Sequence, residues 1–158
     1  MSWRPLPLPV LAVLLAVLVA VGVVGATRLL GQGPVDVTPA PSAADPACSS
    51  IARRLPVSVA GQARRETSSA SPAVAAWGDP AIVYLCGVVQ PGPSPSCQDV
   101  NGVDWVYLQL GDGTVFTTYG RDPAVQVLVP RAYAPEPLRL PDFSAAVSTV
   151  AQGTRRCS

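Results

Sequence analysis

Five groups of side chains in this chain are of a type and spacing that can do chemistry. Asp79, Asp99 and Asp104 lie in turns expected at one end of a sheet, and a pair of carboxylates is the minimum for glycoside hydrolysis. Cys86 and Cys97 enclose ten residues, "GVVQPGPSPS", a spacing open to a redox pair. A reactive thiol, however, needs surroundings that lower its pKa, and nothing near either residue supplies them. Trp105, Tyr107 and Gln109 alternate onto one strand face, and the two aromatics are a platform for sugar or peptide if helices leave that face open. Arg121, in the "YGRDP" turn, can hold an anion by a bidentate contact. Trp77, in "WGDP", can line a groove.

Each group also has a structural reading. Aspartates in turns commonly hydrogen-bond their own backbone. A tryptophan before a glycine can close a sheet end while Gly78 permits the turn. Arg121 can pair with Asp122 or Asp104, a contact that stabilises little at a surface.

Absent residues exclude more than present ones establish. None of the 158 residues is His, and all eleven basic residues are Arg. Without His there is no Ser-His-Asp or Cys-His constellation and no His-ligated zinc. Without Lys there is no Schiff base. No C-x-x-C pair occurs, so neither a metal nor a cofactor is expected. Arg53, Arg54, Arg64 and Arg65 can form a basic patch toward anionic lipid or wall polymer. Past residue 30, though, nine Arg meet ten acids, which argues against a nucleic-acid partner.

Between Arg4 and Arg28 no residue is charged. From Pro9 to Ala26 a helix would rise about 27 Å, close to the hydrocarbon thickness of a bilayer, so residues 1–30 are expected to be a membrane anchor. The alternative is a signal segment cleaved near Ala26, giving a secreted protein. Four cysteines behind such a segment, at 48, 86, 97 and 157, predict two disulfides in an oxidising compartment. Three pairings are possible. The local pair Cys86–Cys97, which leaves Cys48–Cys157 to join the two ends of the domain, is favoured.

These residues need elements to position them. Residues 31–44, "GQGPVDVTPAPSAA", are expected as a flexible tether, and a domain follows over 45–158. Asp45 and Pro46 start a short helix with Cys48, Ile51 and Leu55 on one side. The polar stretch "GQARRETSSASP" reads as a loop or frayed helix. Strands are expected over Ala81–Val89, Val103–Leu110, Thr114–Tyr119 and Ala124–Val129. A second helix, capped by Asp142, places Phe143, Val147 and Val150 on one stripe. The expected fold is α+β: about four antiparallel strands with two helices on one face, preceded by a transmembrane helix.

The Leu55-Pro56 step after a leading Cys, then "WGDPAIVYLCG", "VNGVDW" and "TTYGRDP" before a Val-rich strand, resemble the domain of unknown function 3515 family of actinobacterial exported proteins. The resemblance covers roughly Pro46 to Cys157 and implies an envelope protein with an amino-terminal membrane segment. It implies no activity and no catalytic residues. The expected function is thus a non-catalytic binding or accessory module of the cell envelope, its partner another envelope protein or a wall polymer, with the bilayer met through residues 9–26. A carboxylate-dependent hydrolase of wall glycans is the alternative.

Overall fold

The computed structural model describes residues 17–19 and 33–157. From Pro34 onward the chain forms one compact unit. Its elements are helix α1 (Pro46–Ala52) and strands β1 (Ser58–Val59), β2 (Gln62–Arg65), β3 (Val74–Trp77), β4 (Ile82–Val88), β5 (Cys97–Val100), β6 (Val103–Gln109), β7 (Gly113–Thr118) and β8 (Ala124–Pro130). Two single 3-10 turns, Arg131–Tyr133 and Glu136–Arg139, then lead into helix α2 (Pro141–Val147).

All eight strands belong to one antiparallel sheet in the order β1-β2-β3-β4-β8-β7-β6-β5. This corrects the four-strand α+β expectation: the unit is mostly β. The four expected strands form the middle of the sheet and one flank. The additional ones, β1, β2, β3 and β5, are only two to four residues long. Such strands are too short to show an alternation of their own, and the polar Gln62–Arg65 lies near an edge with little apolar surface to hide.

The transmembrane helix is corrected as well. Its span, Pro9 to Ala26, falls outside the described residues except for 17–19, and among the described residues no helix is long and apolar enough to cross a membrane.

The tether is also revised within its described part. Val35 forms a bridge with Thr67, Val37 is buried, and the Ser42 amide donates to the Gly87 carbonyl at 3.0 Å. Gly87 makes this approach possible. It sits at a bulge with φ +87°, and a Cβ there would lie 2.3 Å from the Ser42 carbonyl carbon.

Register explains where the core lies. Ala75, Tyr84, Val127, Phe116 and Tyr107 are consecutive partners across β3, β4, β8, β7 and β6, so their side chains share one face. Both helices cover part of that face. Asp45 caps α1 by accepting from the Ala47 amide, and Cys48 and Ile51 turn inward. From α2, Phe143 stacks on Tyr84 with ring centroids 6.3 Å apart and meets the edge of Trp77 at 5.5 Å. Asp142 does not cap α2. Its carboxylate accepts instead from the Ala60 amide, fastening the helix to the β1–β2 turn.

Two disulfides lock the unit, Cys48–Cys86 and Cys97–Cys157. Two bridges were expected, but their pairing is corrected. Cys86 is on β4 in mid-sheet while Cys97 opens the edge strand β5, four strand positions away. That is about 19 Å across a flat sheet, far beyond the reach of a disulfide. Cys86 points at α1, where Cys48 waits; Cys97 is on the other face at the sheet margin, where the tail after α2 arrives.

Candidate functional site

The two helices do not cover the whole inner face. The row that begins with buried Ala75 ends with Tyr107, which is 38% exposed, and beside it a groove of about 220 Å³ opens. Its floor comes from hairpin register: Tyr107 lies opposite Phe116, their ring centroids 6.4 Å apart, and Gln109 lies opposite Thr114. Gln98 of β5 joins them on the same face because it pairs with Trp105, two residues before Tyr107. The 3-10 turn supplies the other wall through Glu136 and Pro137, with Leu138, 63% exposed, beyond.

That wall is held in place. The Arg139 guanidinium donates to the Tyr133 carbonyl at 3.1 Å, and the Tyr133 hydroxyl donates to the Pro80 carbonyl at 2.8 Å. A site whose walls are fixed before the ligand arrives loses less entropy on binding.

The polar groups of the groove are unused. The buried Gln98 amide nitrogen has no acceptor. The side chains of Gln109, Thr114 and Glu136 have no hydrogen-bond partner among the described residues. A second hollow of about 360 Å³ around Arg64, Arg65 and Ser69–Pro72 differs in this respect. There Thr67 donates to the Ser69 carbonyl, Ser69 and Ser71 accept from the amides of Ser71 and Ala73, and Arg65 donates to the Gly78 carbonyl. A third, of about 390 Å³ beside Pro80, Ala81 and Leu128, is lined mainly by apolar groups.

Of the four residues expected to bind a ligand, the structure places only Tyr107 at a surface groove. Trp105 is fully buried, so it offers no open platform; its indole nitrogen has no hydrogen-bond partner among the described residues. Trp77 is fully buried as well: its indole nitrogen donates to the Pro56 carbonyl at 3.2 Å, and the Arg64 guanidinium lies 5.5 Å from its ring.

Arg121 is 5% exposed and works as a clamp. Its guanidinium donates to the Val150 carbonyl and, at 3.0 Å, to the Gly102 carbonyl, joining the tail after α2 to the β5–β6 turn. Burial, then the charge of Arg156, lower its pKa, while Asp104 acts in the opposite direction. The tail is fixed further by Gly153 donating to the Gly120 carbonyl, Gln152 donating to the Tyr119 carbonyl, and the Cys97–Cys157 bridge.

The three aspartates do not converge. Antiparallel order makes β6 run opposite to β4. Asp79, just before β4, and Asp104, near the start of β6, are consequently at opposite ends of the sheet. Asp99 and Asp104 are cross-strand partners, but Asp99 accepts from the Gly102 amide in its own turn, Asp104 is buried beside Gln152, and Asp79 is exposed next to Arg65. Among the described residues no group of acidic or sulfur side chains is arranged to hold a metal ion.

Sequence reasoning found Tyr107 and placed Gln109 on its face, but it missed Gln98, Thr114, Phe116 and Glu136. The register of the β6–β7 hairpin about its Gly-Asp-Gly turn carried the signal for Thr114 and Phe116. Nothing local pointed to Glu136, which is brought in by the long return from β8.

A family of proteins of unknown function, DUF3515, matches residues 8–155. The chain belongs to the DUF3515 family. That match takes in every strand of the sheet and both helices, and with them all the residues of the groove. No curated protein and no solved structure matches this DUF3515 chain.

Proposed function

We propose that this DUF3515 protein is a non-catalytic binding module of the cell envelope, exported by its apolar amino-terminal run and working outside the cytoplasm. The observation that carries the reading is the groove at the uncovered end of the inner face, where an aromatic floor and unpaired polar side chains meet on a disulfide-locked sheet. Two bridges among four cysteines, with no free thiol among the described residues, support an oxidising compartment. The hydrolase alternative finds less support: Asp79 lies at the opposite end of the sheet from Asp99 and Asp104, and of that cross-strand pair Asp99 is engaged by the Gly102 amide of its own turn while Asp104 is buried.

The test is co-sedimentation of the purified full chain, kept in detergent, with cell-wall fragments that retain their bound proteins. The wild type is expected to pellet and Tyr107→Ala to stay largely in the supernatant. Equal pelleting of the two, or none by either, would overturn the assignment.

A further inference from the structure

We infer that the ligand of the groove is an uncharged glycan, bound through one pyranose ring stacked on Tyr107; this rests on the groove being the binding site. Charge narrows the choice first. No Arg lines the groove, so a phosphate, sulfate or carboxylate ligand would meet only Glu136, which repels it. A cationic ligand fits no better. Glu136 is a single carboxylate on an open rim, and Phe116, only 1% exposed, is buried beneath the floor, so Tyr107 alone offers a ring and no aromatic cage forms.

A wholly apolar ligand is excluded by the polar side chains. Gln98, Gln109, Thr114 and Glu136 would lose water and gain nothing in return. What satisfies all of them is a molecule with a flat apolar face and a rim of groups that both donate and accept. The two amides provide donors and an acceptor each, the Thr114 hydroxyl provides both, and Glu136 accepts. A sugar ring has that surface: its axial C–H bonds face the aromatic ring and its equatorial hydroxyls meet the amides.

Size agrees. At about 220 Å³ the groove is below the roughly 300–1,000 Å³ of pockets for drug-sized molecules. It takes one ring at a time and lets a longer chain continue past Leu138 into solvent.

Isothermal titration of the detergent-solubilised full chain tests this with three probes: a β-1,4-linked tetramer of N-acetylglucosamine, cellotetraose and tetralysine. The expected result is saturable binding of at least one neutral tetramer, weakened roughly ten-fold by Tyr107→Ala and by Gln109→Ala. Both residues have exposed side chains, so these variants keep the fold. Glu136→Gln is expected to change the affinity less than two-fold, because an amide carbonyl still accepts and no ligand charge is lost. Binding of tetralysine abolished by Glu136→Gln would overturn the glycan assignment, as would no binding of either sugar. In the latter case a Tyr107-dependent retention on wall fragments would leave the binding module standing; loss of both would remove the module as well.

Discussion

Arg121→Met separates a structural arginine from a ligand-binding one. Methionine keeps the apolar length of the side chain and deletes the guanidinium. The Val150 and Gly102 carbonyls then lose a charged donor, and a hydrogen bond to a charged group is worth about 1.5–3 kcal/mol. Val150 is buried while Gly102 is exposed, so the first bond should approach the upper figure and the second fall below the lower. Asp104, 6% exposed, also loses a cation whose charge it feels. The expected cost is about 3–4 kcal/mol. For a unit of this size that lowers Tm by roughly 10–15 °C. Thermal unfolding followed by circular dichroism measures it, and binding to wall fragments is measured on the folded variant below its Tm. The clamp account predicts a large drop in Tm with undiminished binding. A Tm within 2 °C of wild type together with lost binding would refute it and make Arg121 a ligand residue.

Further outcomes follow from the same packing. Tyr84→Phe removes a buried hydroxyl with no partner and should raise stability by about 1 kcal/mol near neutral pH, as read by denaturant unfolding. Burial raises the Tyr84 pKa, so its contribution is fully present below the unfolded value of about 10 and is lost as pH climbs beyond it, by up to about 1.4 kcal/mol per unit. The phenylalanine variant should show a shallower alkaline decline; the same slope in both proteins would contradict this burial. Non-reducing peptide mapping should recover Cys48 with Cys86 and Cys97 with Cys157. Replacing either pair with alanine should cost about 4 kcal/mol by loop entropy, since the two bridges close loops of 38 and 60 residues. Recovery of a Cys86–Cys97 peptide would contradict the strand order.

What the sequence made legible was local. β4, β6, β7 and β8 declare themselves by apolar runs and alternation, and α1 by its Asp45-Pro46 start. The long-range arrangement did not show. A short strand such as Cys97–Val100 is defined by the neighbour it hydrogen-bonds, not by its own four residues, and its position at the edge decided both the cysteine pairing and the floor of the groove. Trp105 and Tyr107 share an alternation, yet one is fully buried and the other 38% exposed, a difference set by what distant segments lay over the strand and not by the strand's own pattern. Arg121 looks like any turn arginine until the tail closes over it. The groove was therefore legible at Tyr107 and Gln109, and illegible wherever a residue came from a distant segment.

The most direct test of the account is a residue-by-residue map of the groove. Titrating the isotope-labelled full chain with the N-acetylglucosamine tetramer and with cellotetraose, and following backbone amide shifts by NMR, should move Gln98, Tyr107, Gln109, Thr114, Glu136 and Leu138. Amides around Arg64 to Val74 and around Arg121 should stay still. Shifts centred on either of those regions, or none anywhere at saturating sugar, would contradict it.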